Sequence, residues 1–314
     1  MHGGLSHPSL LELDLELCLL LLYQQTEIMT NVFFFTDIHG HYQLFSAIIK
    51  WWEEQDNQCK IIYGGDAADR GEYGYQIIKE LLADTNVIYI YGNHEELFLQ
   101  AADSIVGTYA NNDKTYNLLT SCDEKQALSI LNQMIGNEQV QLHIHNGGKS
   151  TLKSWLLDGA NLNLLDQLRF LPRVYSYNNL DFCHAGSVYS IFQEGFKKPI
   201  PKYAEELLIW DRSAIQFGWE KDRICIFGHT PTIYLPAKIY GRNTSLDNIH
   251  PCMWSELLKS GKHVRPGYKI DMDTCTHASN KAFVLNCNTF QVNCFTYNEQ
   301  NNIVTITEYE LQRP

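Results

Sequence analysis

Between residues 31 and 105 one pattern occurs three times: a short apolar run, a polar cluster, then apolar residues at helical spacing. "NVFFFTD" (31–37) leads through "TDIHGH" into "YQLFSAIIKWWEE"; "KIIYGGD" (60–66) leads through "GGDAADRG" into "YGYQIIKELLAD"; "NVIYIYGNHE" (86–95) leads into "ELFLQAADSI". Each unit reads as strand, loop and helix, and three in succession predict a mainly parallel sheet at the start of the fold. In such sheets ligands bind beyond the carboxyl ends of the strands. All three polar clusters fall at that edge.

From Ser104 to Leu171 the pattern predicts helices and loops without a strong strand, including "DEKQALSILNQMI" and "NLNLLDQLRFL", and suggests an inserted helical cap. Strand character returns in "RVYSYNNLDFCHAG", "RICIFGHT", "GYKIDMD", "KAFVLNC", "FQVNCFTY" and "NIVTITEYE", which predict a second sheet facing the first. No stretch rich in Pro, Gly or Ser divides the chain, so 31–314 is expected to be one domain carrying the cap at 104–171. "LLELDLELCLLLLY" (10–23) is apolar but holds Glu12, Asp14 and Glu16 and lacks a basic flank, which fits neither a signal peptide nor a spanning helix. Residues 1–30 are therefore expected to be an N-terminal extension, with Met29 as an alternative natural start.

The chain has 24 Lys+Arg against 36 Asp+Glu, net charge −12, which argues against a broad nucleic-acid surface or an anionic membrane surface. It does not exclude an anionic substrate, because bound cations reverse a local field. Nine scattered cysteines without a CxxC pair argue against a disulfide framework and favour a reducing cytoplasm.

Six polar side chains stand at the ends of apolar runs: Asp37 and His39 as D-x-H, Asp66, Asn93, His184 and His229. Singly each is an ordinary strand-end residue; together they form a set of oxygen and imidazole donors without thiolate, which suits Mn, Fe or Zn in an open site better than a structural zinc. Six donors exceed the need of one open ion. The count suits two ions sharing one carboxylate, with Asp66 at the centre of the set.

In order, "DIHG", "GDAADRG", "GNHE", "CHAG" and "GHT" resemble the motif series of the metal-dependent phosphoprotein phosphatases, in the calcineurin-like metallophosphoesterase superfamily, particularly its bacterial branch. "NGGKST" (146–151) and "IWDR" (209–212) resemble bacterial members too, and similarity continues weakly through "IDMDT". Thr36 stands where the family usually has Gly or Ser. The resemblance implies an α/β fold: a β-sandwich of two mixed sheets flanked by helices, with the cap inserted. It also implies that Asp37, His39 and Asp66 hold one divalent ion and Asp66, Asn93, His184 and His229 the other, Mn²⁺ being the first choice. His94 then protonates the leaving oxygen and Asp69 orients and charges that imidazole. Arg70 grips two phosphate oxygens, joined by Asn93, and a metal-bridging hydroxide attacks phosphorus directly.

Arg212 is either a second phosphate-binding arginine or the partner of Asp211 in a surface ion pair. Asn146 to Gly148 shape the pocket rim or form a plain turn. His143 and His145 alternate with Leu142 and Ile144 as in a strand, where an additional metal site is the less expected reading. Asp273, Cys275 and His277 suggest a loop before a ligand cluster, and Trp51 and Trp52 suggest packing before nucleic-acid stacking.

Three functions compete: a serine/threonine protein phosphatase, a hydrolase of diadenosine tetraphosphate or another small phosphoester, and a silent binding module. The silent module predicts eroded ligands, and none is eroded. Symmetrical dinucleoside tetraphosphatases usually carry Ala where Asp69 stands and Asp where Glu95 stands, so "DRG" and "GNHE" favour the protein phosphatase branch. The oligomeric state stays open.

Overall fold

Strand β1 (Val32–Phe35) buries all four side chains, because both faces of its sheet are covered. Phe33 and Phe35 point one way, meeting Trp51 and Phe45 of helix α1 (Tyr42–Glu53); Phe34 points the other way and stacks on Phe182 of the opposing sheet, ring centroids 5.6 Å apart. Alternation of side chains across a strand turns an unbroken apolar run into two buried faces. The computed structural model describes residues 31–314 except 56–58, 111–112, 242–244, 256–266 and 312–314; the expected extension at 1–30 lies outside the described residues.

The first sheet has the order β11-β10-β9-β1-β2-β3. Strands β1, β2 (Lys60–Tyr63) and β3 (Val87–Tyr89) run parallel, joined by α1 and by α2 (Gly74–Ala83). The second sheet, β4-β5-β6-β8-β7, pairs β5 (Leu180–Cys183), β6 (Ile224–Phe227) and β8 (Tyr268–Asp271) in parallel, with β4 (Val174–Tyr177) and β7 (Cys252–Ser255) antiparallel at its edges. The chain is thus an α/β sandwich of two mixed sheets flanked by helices.

The sequence reading placed every later strand in the second sheet. The last three instead return to the first: β9 (Lys281–Asn286) pairs antiparallel with β1, and β10 (Gln291–Asn298) and β11 (Ile303–Glu310) extend that edge. An apolar run carries no record of which edge it pairs with. Here the edge of β1 opposite β2 was open, and Trp51 of α1 packs edge-on against Phe295 of β10 as well as Phe33. Strand β7 was not anticipated at all.

Helix α3 (Asn93–Tyr109) begins a run of helices: α4 (Asp113–Thr120), α5 (Glu124–Gln133), α6 (Glu138–His145), α7 (Lys149–Leu157) and α8 (Leu162–Arg169). The expected strand alternation at His143 and His145 is corrected here. Both lie on α6, started by the Asn137 side chain accepting the Val140 amide, and its buried face holds Val140 and His143 three residues apart. Four residues with alternating polarity fit a helix face as well as a strand, and the cap decides between them.

The Phe34–Phe182 contact ties the two sheets together, so Phe34→Ala should cost about 3–5 kcal/mol of stability. Chemical denaturation of the purified protein checks this, with Phe34→Leu expected to lose less.

Candidate metal centre and active site

Six of the residues around the site occupy the left-handed backbone region: Asp37 (φ 54°), His39 (45°), Asp66 (61°), Asp69 (72°), Arg70 (63°) and His229 (69°). Side chains there are strained, and such conformations persist only where the surroundings over-determine them. Backbone bonds between neighbouring strand ends do so: Asp37 N–H donates to Gly65 O (3.0 Å), His39 to Asp66 O (3.1 Å), Gly40 to Ala67 O (3.0 Å) and Gly71 to His39 O (2.9 Å). The loops after β1 and β2 are therefore laced into one surface. From the second sheet, the His229 N–H reaches both oxygens of Asp37, 3.2 and 3.1 Å away. Residue 228 must be glycine for this approach, since a Cβ there would lie 2.0 Å from Asp37 Oδ2. Thr36, the departure from the family motif, donates its hydroxyl to Asp37 Oδ2 at 2.6 Å.

Asn93 and His94, expected on a loop, form the first turn of α3 instead. The otherwise unpaired His94 N–H of that turn donates to Asp66 Oδ1 at 2.9 Å, placing a carboxylate at a helix N-terminus.

The six expected donors converge. His184 Nε2 lies 2.9 Å from Asn93 Oδ1 and 3.3 Å from Asp66 Oδ1, and His229 Nδ1 lies 2.9 Å from the same Asn93 oxygen. His39 Nε2 lies 3.6 Å from Asp66 Oδ2 and 4.0 Å from Asp37 Oδ1. Each imidazole gives its other nitrogen to a backbone carbonyl: His184 Nδ1 to Gly64 (2.8 Å), His39 Nδ1 to Ala68 (3.0 Å), His229 Nε2 to Trp210 (3.1 Å). Burial keeps His39 and His229 neutral, so in these two rings a lone pair, not an N–H, faces the carboxylate and amide oxygens. Lone pairs of His39 and His229 buried against carboxylate and amide oxygens are satisfied by a cation, and the donors form two groups that could each hold one, with Asp66 in both.

Burial and nearby charges pull the groups apart. Burial, then the Asp273 and Asp66 carboxylates, hold Asp37 well above the usual carboxylate range. Burial also opposes ionisation of Asp66, but His184 and His94 hold its pKa well below normal. Burial would lower His184, yet Asp66 and Asp37 push it up to about 10; burial and the His184 charge drop His229 to about 3.

His39, Asp66 and His94 form one cluster with donor atoms within 4.8 Å of one another, and Asp66, His184 and His229 form a second. Proximity alone would make His94 a ligand. Its surroundings argue otherwise: Nδ1 lies 2.8 Å from Asp69 Oδ2, and Nε2 lies 3.3 Å from the cationic Arg70 Nη2. Burial lowers the His94 pKa, but Asp66 and Asp69 outweigh it and raise it.

Arg70 and Arg212 line a cavity of about 500 Å³ over this site, with His145, Asn146, Gly147, Tyr234, Cys275 and His277. Arg212 does not pair with Asp211: its Nε lies 3.3 Å from His229 Nε2, while Asp211 accepts from Ser213. Cys275 and His277 belong to this cavity wall, His277 Nδ1 lying 3.2 Å from Arg70 Nη1. Burial and Arg70 lower His277 to about 4, so it is a neutral acceptor for that guanidinium at pH 7. A larger cleft of about 690 Å³, between residues 289–291 and 308–311, contains none of the expected site residues.

Two contributors escaped the sequence reading. Glu95, fully buried, accepts from the Asp66, Ala67 and Gly92 amides and the Tyr89 hydroxyl, all at 2.8–2.9 Å. His143, weighed in the sequence only for an additional metal site, lies with Nε2 2.7 Å from Asp69 Oδ1. No spacing rule connects residues 69 and 143; only the docking of α6 does.

No curated protein matches the chain in sequence. Similar solved structures include a proposed diadenosine tetraphosphatase (12% identity, TM-score 0.42, covering 88% of this chain and 93% of that one). A metallophosphoesterase from Sphaerobacter thermophilus gives 12% identity and a TM-score of 0.42, covering 90% and 88%. A protein serine/threonine phosphatase from Saccharomyces cerevisiae with similarity to human phosphatase PP5 gives 13% and 0.40, covering 90% and 81%. The profile of the family described as "Calcineurin-like phosphoesterase" matches residues 30–281, well over half of the sequence. With two histidine–aspartate clusters at the shared edge of two mixed sheets, the chain belongs to the calcineurin-like phosphoesterase family.

Proposed function

We propose that this phosphoesterase is a phosphomonoesterase with two metal ions that acts on phosphoserine or phosphothreonine in proteins. The observation that carries this reading is the buried His94–Asp69 pair, 2.8 Å apart, beside the two donor clusters and under a guanidinium. A poor leaving group such as a serine alkoxide needs a proton donor, and this pair supplies one.

In this reading Asp37, His39 and Asp66 hold one ion, and Asp66, Asn93, His184 and His229 the other. Oxygen and imidazole donors without thiolate favour Mn²⁺, with Fe and Zn as alternatives. When bound, such ions supply Lewis acidity and an activated water near neutral pH. Asp69 takes the Nδ1–H of His94, which leaves Nε2 to carry the proton for the departing oxygen. Arg70 N–H groups can rest on His94 Nε2 and His277 Nδ1 only while those nitrogens are unprotonated. A phosphoryl group in the cavity draws the guanidinium away, and a protonated His94 then faces the leaving group. Arg212, in the same cavity wall, gives a second cationic contact, and the helical segment 104–171 forms the cap over one side.

Eight described cysteines are free thiols and all are buried, and no helix among the described residues is long and apolar enough to cross a membrane. A cytoplasmic location, without nucleic-acid or membrane partners, is part of this proposal.

Substrate class is tested by a panel of phosphoserine, phosphothreonine and phosphotyrosine peptides beside diadenosine tetraphosphate, each with Mn²⁺ and with chelator. Chelator should abolish turnover throughout, and the phosphoserine or phosphothreonine peptides should give the highest kcat/KM. A clear preference for the dinucleotide would replace this reading with the small-molecule one.

Asp66→Asn keeps the side chain's size and its acceptor for His94 N–H but removes the negative charge that the two clusters share. Bound metal should fall and activity should drop by more than the ~10–100-fold that loss of an outer hydrogen bond to a ligand costs. Elemental analysis and circular dichroism check it; full metal content with near-normal turnover would remove Asp66 from its central place.

General acid catalysis is worth ~10²–10⁴-fold, so His94→Ala should lose about that on a phosphoserine peptide and clearly less on p-nitrophenyl phosphate. Arg70→Ala should weaken both substrates by similar factors, because its contacts are to phosphoryl oxygens common to both. Steady-state kinetics at saturating Mn²⁺ separates the two roles.

A further inference from the structure

Asp69 is held between two imidazoles. Its Oδ2 faces His94 Nδ1 at 2.8 Å, and its Oδ1 faces His143 Nε2 at 2.7 Å; both Asp69 and His143 are fully buried. His143 Nδ1 has no hydrogen-bond partner. Nε2 faces a carboxylate oxygen at hydrogen-bond distance, so it is Nε2 that carries an N–H, directed at Asp69.

A carboxylate anchored at one oxygen turns easily about its last torsion, which has no sharp staggered wells. A donor on each oxygen fixes its plane. With Oδ1 held by His143, Oδ2 presents its lone pairs to His94 Nδ1, and the His94 ring is held with Nε2 toward the cavity.

The seat of His143 is built for this contact. A Cβ at Gly148 would lie 2.1 Å from His143 Nε2, so only glycine lets α6 and α7 close around the ring, and Phe98 packs against it with centroids 5.9 Å apart. The same segment grips the backbone of the Asp69 turn. Thr151 Oγ1 accepts from Asp69 N–H (3.1 Å), Gly147 O accepts from Arg70 N–H (3.1 Å), and Ser150 Oγ donates to Gly71 O (2.8 Å). Asp69 and Arg70, both at positive φ, are thus held from the cap side, while His39 and Gly40 hold the flanking Gly71 and Ala67 from the other.

We infer that His143 is a positioning residue for proton transfer, acting through Asp69 to hold His94 in register with the leaving oxygen. This rests on the reading of His94 as the proton donor. The helical cap is then not only a wall of the pocket: it supplies the third member of an imidazole–carboxylate–imidazole chain whose other two members come from the catalytic loops.

The test uses the full chain with saturating Mn²⁺ and two aryl phosphates, phenyl phosphate and p-nitrophenyl phosphate, so that it does not depend on the natural substrate. His143→Phe keeps the ring's shape and loses the donor; His143→Gln loses the ring and keeps an N–H. His143→Phe should lose about tenfold in kcat/KM on phenyl phosphate, part of the ~10²–10⁴ a general acid supplies, and much less on p-nitrophenyl phosphate. Its Mn²⁺ content should be unchanged, and His143→Gln should restore most of the loss. In an Asp69→Asn background His143→Phe should leave the ratio of the two rates unchanged; that double variant also removes the buried charge, and decides the matter if His143→Phe alone does not fold. Equal losses on both substrates, or a further change of the ratio in the double variant, would make His143 a packing residue only. His94→Ala is measured alongside: bias there with none in His143→Phe overturns this inference alone, whereas no bias in His94→Ala takes the general-acid reading down with it.

Discussion

The whole site hangs on the Glu95 carboxylate. Fully buried, it accepts the amides of Asp66 and Gly92 on Oε2 and the Ala67 amide and Tyr89 hydroxyl on Oε1. Asp66 and Gly92 belong to different loops, and one carboxylate fixes both. It also closes the N-terminus of α3 from the third helical position, half of a capping box, which sets Asn93 and His94 on a rigid turn. Burial and the nearby Asp66 raise the Glu95 pKa, while the amide donors pull it back. An aspartate at this position is one methylene shorter and could not span the same donors from the same backbone. Glu95 therefore has a structural meaning that its comparative value in the sequence did not reveal.

Around that anchor the chain has concentrated cost. Asp37, Asp66 and Asp273 are nearly or completely buried within one network, with His39 and His184 beside Asp66 and His229 against Asn93. Without cations, a proton on His184 offsets part of this repulsion, which is why its pKa rises to about 10 while its neighbour His229 falls to about 3. Protons and metal ions then compete for the same lone pairs, so ion affinity weakens as pH falls. The overall charge of −12 is no barrier to an anionic substrate, because the field at the cavity is set by Arg70, Arg212 and whatever cations the clusters hold.

The parts of this arrangement legible in sequence share one property: they sit immediately after apolar runs. Asp37, Asp66, His184 and His229 could be found because the ends of parallel strands meet at one edge, whatever the sheet order. The order itself was not legible. Strands β9 to β11 look like any half-buried strands, and nothing in "KAFVLNC" states that Phe34 and Leu285 will be partners. His143 was invisible for a different reason. Its significance lies in a contact across 74 residues, and its local pattern, two histidines alternating with Leu142 and Ile144, fitted a strand until Asn137 capped a helix. Arg212 could be narrowed to two readings, but only the fold turns it to His229 and leaves Asp211 to Ser213.

The difference between Asp66 and Asp69, three residues apart in one turn, now has a physical basis. Both are buried and both adopt left-handed backbone, so neither exposure nor local conformation separates them. What separates them is the company of their oxygens. Asp66 faces His39, His184 and the backbone N–H that opens α3, within reach of both donor clusters; Asp69 faces imidazole N–H groups on both sides. Asp66 belongs to both groups that could hold a metal ion, and Asp69, with a donor on each oxygen, belongs to neither. Burial opposes ionisation of Asp69, but His143 and His94 together hold its pKa below the ordinary value. The turn thus sets one kind of side chain in two environments, Asp66 between the donor clusters and Asp69 between the rings of His94 and His143.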